Sequence, residues 1–153
     1  MFKGASKRLE LVAKNELSVF YKDFAHSPSK LKATTSALKN QFPNRKLIAC
    51  MELHTFSSLN KEFLKLYKDS MQKADQALIY YNNETIKHKK LDELNENDVK
   101  AAFGTNNLQV FTSSIALLNH LKVQNWKEKN LLMMSSGNFD GINFKELAKT
   151  IIN

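Results

Sequence analysis

Acids, histidines and small polar residues stand where the apolar runs of this chain stop. The run LSVFY (17–21) leads into Lys22-Asp23 and then FAHSP, so Asp23 and His26 lie three residues apart, just ahead of Ser27 and Pro28. The run KLIACMEL (46–53) carries Glu52 near its end, with His54 directly after it. QALIYY (76–81) ends at Tyr81 and is followed by Asn82 and Asn83. NLLMMSS (130–136) ends in Ser135 and Ser136 and is followed by Gly137 and Asn138. Polar groups so placed either are solvated loop residues or form the walls of a binding crevice. In an open α/β sheet, ligands bind beyond the carboxyl ends of the strands. If these runs are parallel strands, the four groups converge on one edge.

Several kinds of chemistry are excluded. The phosphate-binding patterns Gly-x-x-x-x-Gly-Lys-Ser/Thr and Gly-x-Gly-x-x-Gly are absent. With four glycines in the chain, no loop cradles a triphosphate in the usual way. The strained Gly-x-Ser-x-Gly elbow of α/β hydrolases is absent too. The histidines are not at zinc-ligand spacing, and no metal site is readable. His88 stands in a lysine-rich stretch and His120 near a helix end, positions that suit solvated or packed side chains. A response-regulator receiver would need an acidic pair after its first strand and a phosphate-accepting Asp after its third, and neither is present.

The elements that must position these residues follow from periodicity. The apolar runs at 46–53, 76–81 and 130–136 are nearly continuous, as strands buried on both faces of a parallel sheet are. LSVFY and LQVFT (108–112) are shorter versions. The opening RLELVAKNELSVFYK alternates and breaks at Asn15-Glu16, which reads as a hairpin with one antiparallel strand. Helical patterns lie between the strands. Ser27 is the expected cap of the first, with Pro28 at its first position and Leu31, Thr35, Leu38 and Phe42 along one stripe. Ser57 or Ser58 is expected to cap the second, with Leu59, Phe63, Leu66, Tyr67 and Met71 inward. Asn95 caps a short helix ended by Gly104, and Thr112 one holding Ile115, Leu118 and Leu121. Asn143 and Glu146 form a capping box for the last helix. IKHKK (86–90) reads as a loop. The resulting order, β-β-α-β-α-β-α-β-α-β-α, predicts a three-layer, Rossmann-like α/β fold. It has a mostly parallel sheet of about six strands, one antiparallel N-terminal strand and helices on both faces.

Residues 1–153 read as one domain, long enough for a real core, with 42% hydrophobic and 25% charged residues. No apolar run reaches the length of a membrane span, and MFKGASKRLEL lacks the apolar region of a signal peptide. Cys50 is the one cysteine. It excludes an intrachain disulfide, reads as a small core residue, and suits the reducing cytoplasm. The net charge of +8 invites a nucleic-acid reading. The lysines are scattered over outer helix faces, however, arginines are limited to Arg8 and Arg45, and no aromatic-basic stripe occurs. Neither nucleic acid nor membrane is the expected partner.

Longer stretches carry a family resemblance. GASKRLEL (4–11) resembles the Gly-x-x-x-Arg-x-Glu stretch that opens the C-terminal domain of Mur ligases. YKDFAHSPSKLKAT (21–34) resembles their Asp-Asp-Tyr/Phe-Ala-His-His/Thr-Pro motif. ACMELHTFSSLNKEFLKLYKDSMQKADQALIYYN (49–82) looks like the next strand-helix-strand. LLMMSSGNFDGI (131–142) is similar to the final strand and loop of the murein peptide ligase branch. That branch joins UDP-N-acetylmuramate to L-alanyl-γ-D-glutamyl-meso-diaminopimelate in cell-wall recycling. The UDP-N-acetylmuramate:L-alanine ligases are the nearest other branch.

The resemblance implies an excised C-terminal domain of a three-domain ATP-dependent ligase. The N-terminal and central domains would bind the UDP-sugar and carry the phosphate loop, and they are its expected partners. In that family ATP, with Mg²⁺ held mainly by the central domain, activates the muramyl carboxylate as an acyl phosphate, which the incoming amine attacks. This chain alone is then expected to be inactive. By the same resemblance Arg8 faces the nucleotide and Asp23 hydrogen-bonds the ribose hydroxyls. His26, Ser27 and His54 lie near the incoming substrate, and Ser135, Ser136 and Asn138 belong to the loop that touches the peptide. As a loop carboxylate, Asp23 is expected to contribute little to stability. Three positions depart from the family pattern. Lys22 replaces the first acid of the usual pair, His54 stands where the recycling ligases have arginine, and Ser58 where the alanine-adding ligases have it. A non-catalytic α/β module for an anionic ligand or a protein partner is the other class of reading.

Overall fold

The structure, a computed structural model, describes residues 9–55 and 58–152. Arg8 and Ser57, both named above, lie outside the described residues. The chain opens with a hairpin of β1 (Glu10–Lys14) and β2 (Val19–Asp23). Its turn is built by Asn15, whose Oδ1 accepts the N–H groups of Leu17 and Ser18 at 2.9 and 2.8 Å. The strands β3 (Lys46–Glu52), β4 (Gln76–Tyr80), β5 (Leu108–Phe111) and β6 (Lys129–Met134) follow. The sheet order is β1-β2-β6-β3-β4-β5. Only β1 against β2 is antiparallel, and every other pair is parallel. The architecture is therefore the mixed six-strand α/β sheet that the alternation of elements predicts.

The central strands are apolar on both sides because both sides are covered. Leu47, Ala49 and Met51 of β3 join one core cluster, while Ile48 and Cys50 join the other. Helices α1 (Pro28–Gln41), α2 (Lys61–Leu64), α3 (Asn83–His88) and α4 (Glu96–Phe103) supply Leu31, Leu38, Leu64, Ile86 and Phe103 to the first cluster. Helices α5 (Ser114–Lys122) and α6 (Phe144–Ile151) supply Leu117, Leu121, Leu147 and Ile151 to the second. The path β3-α2-β4-α4-β5 runs outward over one face, and α5 returns over the other to place β6 between β2 and β3. Burial, helped by the charge of Glu52, raises the Cys50 thiol pKa well above its ordinary value, so Cys50 behaves as a core residue.

The helix ends differ from expectation in four places. Ser27 has the extended backbone of a cap, but its hydroxyl makes no capping bond. The second helix is capped by Asn60, whose Oδ1 accepts from Glu62 and Phe63 at 2.9 and 3.2 Å. It runs one turn before tightening into a 3-10 turn, Lys65–Tyr67, which leaves Leu66 exposed rather than inward. Ser113, not Thr112, caps α5, and Ile115 faces outward. The lysine-rich segment at 86–90 is not a plain loop: Asn82 accepts from Glu84 N–H at 2.8 Å and Ile86 is buried, so its first half closes α3.

Asn95 and Asp98 form a reciprocal capping box on α4, and Asn143 accepts from Glu146 N–H at 3.1 Å on α6. Gly104 ends α4 in the left-handed region, with φ 58°. A Cβ there would meet its nearest neighbour, Lys68 Cγ, at an ordinary 3.7 Å. The cost of Gly104→Ala is then that of backbone alone. We expect a loss of about 1–2 kcal/mol, read from the urea midpoint; no loss would mean that α4 ends differently.

Candidate functional site

The carboxyl ends of β2, β6, β3 and β4 are adjacent and point the same way. They bring together Asp23, the 135–141 loop, Glu52 with His54, and Asn82. The loop carrying His26 and Ser27 follows Asp23 on the same edge. Against the paired strands β2 and β6 and the loop that follows β6 lies a cleft of about 360 Å³ lined by Lys22, Asp23, Phe24, Ser135, Gly137 and Asn138, among others; His26, Ser27 and His54 stand outside its lining.

Asp23 is 6% exposed, which differs from the loop carboxylate expected. Its Oδ2 accepts the N–H of Leu9 at 3.0 Å and its Oδ1 that of Ala25 at 2.8 Å. The carboxylate thus ties the start of the hairpin to the loop that carries His26. Its own carbonyl accepts from Ser135 N–H at 3.1 Å, joining the two walls of the cleft. The main chain of His26 is held from below, because the Tyr67 hydroxyl donates to the His26 carbonyl. Burial raises the Tyr67 pKa to about 12, so that donor keeps its proton at neutral pH. His26 Nδ1 is 3.0 Å from the Phe24 carbonyl. Lys22 reaches Glu10 across the hairpin at 3.5 Å and stacks over the Phe144 ring.

The 135–141 loop is pinned at two points. Glu52, 3% exposed, accepts on Oε1 from Ser135 Oγ at 2.6 Å and from Phe139 N–H at 2.8 Å. Ser135 Oγ in turn accepts from Gly137 N–H at 2.7 Å. Beyond it, Phe139, Asp140 and Gly141 take φ of 56°, 56° and 96°. Two non-glycine residues in succession in this region store backbone strain. They are held by the Tyr80 hydroxyl and by Asn82 Nδ2, both donating to Asp140 Oδ2, the latter at 3.0 Å. Burial first, then that bond and the Asp140 charge, raise the Tyr80 pKa and keep its phenol a donor. Ser136 is half-buried and Asn138 exposed at the tip.

His54 is half-exposed on the other side of this loop, its Nδ1 3.8 Å from Glu52 Oε2. Ser58 is buried, its N–H donating to Thr55 Oγ1 and its Oγ to the Thr55 carbonyl, both at 3.1 Å. Among the described residues, no group of three or more His, Cys, Asp or Glu could hold a metal ion. Glu52 is the residue whose importance sequence reasoning underrated. The available signal was an acid at the end of an otherwise apolar strand.

Comparison with known proteins agrees with this architecture. Residues 7–137 match the C-terminal Mur ligase family described as Mur ligase, glutamate ligase domain. A UDP-N-acetylmuramate–L-alanine ligase of Caldicellulosiruptor bescii is 40% identical over 78 residues, which is 51% of this chain and 17% of that protein. The chain thus corresponds to a small part of the length of that curated relative. A murein peptide ligase of Psychrobacter arcticus superposes with a TM-score of 0.69 at 23% identity, over 97% of this chain and 30% of its own. A domain from Haemophilus ducreyi, named for a UDP-N-acetylmuramate:L-alanyl-γ-D-glutamyl-diaminopimelate ligase, gives 0.65 at 24% identity, over 94% of this chain and 99% of its own. At these identities the two structures establish the fold, while the family match spans far more than half of the sequence. This chain belongs to the Mur ligase family, as its C-terminal domain.

Proposed function

We propose that this chain is the closing domain of an ATP-dependent ligase that joins UDP-N-acetylmuramate to a cell-wall peptide, in the cytoplasm, during peptidoglycan recycling. The observation that carries the reading is the family match across residues 7–137. The convergence of four strand ends on one edge of the sheet supports it. The recycling branch rests on the likeness of LLMMSSGNFDGI to the last strand and loop of the murein peptide ligases. No helix among the described residues is long and apolar enough to cross a membrane.

The residues fit a nucleotide ribose. Among the described residues each Asp23 oxygen has one N–H on it, and a carboxylate offers about four acceptor sites. Each oxygen therefore keeps one for a hydroxyl, on a residue that borders the cleft. Arg8 belongs to the same role in this reading. No group of three or more His, Cys, Asp or Glu among the described residues offers a comparable fit for Mg²⁺, whose place is proposed in the central domain of the longer enzyme. ATP, when bound, supplies the phosphoryl group that activates the muramyl carboxylate. The residues of this chain orient the partners and exclude water. Asp23 holds the ribose edge, and His26, Ser27, His54, Ser135, Ser136 and Asn138 surround the incoming amine.

A second reading, the alanine-adding ligase, is favoured by the name and 40% identity of the Caldicellulosiruptor bescii relative. One assay separates the two. The longer ligase is given ATP, UDP-N-acetylmuramate and either the tripeptide or L-alanine, and phosphate release is followed. Release with the tripeptide is expected, and release with alanine alone would favour the second reading. No amine-dependent release with either overturns both. The chain by itself is expected to release none; turnover of roughly 1 per second or faster by the pure chain would contradict the proposal.

A further inference from the structure

We propose that Glu52 is a positioning residue that sets the shape of the 135–141 loop, and through it the affinity for the amine substrate. The substrate part rests on the reading above, and the loop part does not. Glu52 ends β3, between β6 and β4, and its carboxylate is buried. A buried acid needs hydrogen-bond donors, and among the described residues those within hydrogen-bond distance of Glu52 are in the loop, with His54 Nδ1 farther off at 3.8 Å from the other oxygen. Ser135 Oγ lies at 2.6 Å and Phe139 N–H at 2.8 Å from the same oxygen.

One oxygen therefore clamps the loop at two points four residues apart, leaving the tip at 136–138 over the cleft. By donating to Glu52, the Ser135 hydroxyl turns a lone pair toward Gly137 N–H, so the clamp also orients the tip. Gly137 lies flat on the clamp. A Cβ there would come within 3.2 Å of Glu52 Oε1 and 3.1 Å of the His54 ring. The strained pair Phe139 and Asp140 then starts where the clamp ends, its far side tied to Tyr80 and Asn82. Substrate contact is not assigned to Glu52; it acts through Ser135, Gly137 and Phe139.

Glu52→Gln tests this, since it keeps size and shape but makes the acceptor neutral, and charge-assisted bonds are roughly twice as strong as neutral ones. Amide hydrogen exchange is measured on this chain. The tripeptide and ATP KM values are measured on the longer ligase carrying the same change. Exchange at Gly137 and Phe139 should quicken about tenfold while amides inside β3 and β6 stay as they were. The tripeptide KM should rise about tenfold and the ATP KM stay within about twofold. Unchanged loop exchange overturns the inference, as does quickening spread equally through β3 and β6. A loosened loop with the two KM values moving together overturns its substrate half. If the variant does not fold, Ser135→Ala reads the same link: Gly137 should lose protection and Phe139 keep it. A wild-type ligase that uses neither acceptor would fail the functional reading instead, and the exchange result would still decide whether Glu52 shapes the loop.

Discussion

Replacing Asp23 with alanine is expected to lower stability by about 2–4 kcal/mol and to raise the ATP KM of the longer ligase by roughly 10- to 100-fold. The stability loss follows from geometry. The variant leaves the buried N–H of Ala25 and the part-buried N–H of Leu9 without their acceptor; a buried donor left unpaired costs about 1–3 kcal/mol, and one that water can reach costs less. The loss of ATP affinity follows from the proposed ribose contact, because a hydrogen bond to a charged group is worth about 1.5–3 kcal/mol. Asp23→Asn separates the two effects. The amide keeps an oxygen for one of the two N–H groups and loses the charge. It should recover much of the stability and little of the ATP affinity. A surface carboxylate paired with a lysine would be worth about 0–1 kcal/mol, so an unchanged urea midpoint would contradict the buried role. An ATP KM within about twofold of wild type would place the nucleotide elsewhere.

Phe139→Ala is expected to cost about 3–5 kcal/mol, the usual range for removing a buried phenyl ring. Phe139 is fully buried although it belongs to a loop. Its ring centroid lies 6.2 Å from that of Tyr80 and 6.2 Å from that of Phe144. The ring is thus the plug that anchors the 135–141 loop in the core shared by α5 and α6. Alanine relieves no strain, because φ at this position is 56° and alanine suffers there as phenylalanine does. The strain therefore cancels, and the loss is that of the ring and the cavity it leaves. Urea unfolding of the variant measures the loss, and a change under about 1 kcal/mol would mean that the loop repacks without its anchor. The tripeptide KM should rise with it, since the loop tip hangs from this residue.

The parts of this fold legible in the sequence are those set by local patterns. Near-continuous apolar runs such as LIACME mark strands covered on both faces, and alternation with helices implies parallel pairing. The polar residues at the run ends therefore mark one edge. Asn95, Gly104 and Asn143 were readable as helix ends because each acts on backbone within a few residues. The second helix was harder to place. Asn60 and two serines stand within four residues of one another, and several polar residues in a row offer more than one cap. In α3 a single buried side chain, Ile86, anchors an otherwise polar turn, so no apolar stripe announces it. The position of Glu52 at a strand end was legible but its partners were not, because they stand 83 and 87 residues further along the chain. The same holds for Asp23 and Leu9, 14 residues apart across the hairpin.

The central claim is that nucleotide and amine substrate meet different walls of one cleft, Asp23 on β2 and the 135–141 loop after β6. It is tested most directly by the two Michaelis constants of the longer ligase carrying Ser136→Ala and Asn138→Ala together. Both residues stand at the loop tip, away from the anchors at Glu52 and Phe139. Asn138 also accepts from Gly141 N–H at 3.1 Å, an exposed bond whose loss costs about 1 kcal/mol or less. The tripeptide KM should rise by about tenfold, as for the loss of one or two hydrogen bonds, while the ATP KM stays within about twofold. Equal shifts in the two constants, or a larger shift for ATP, would contradict the account.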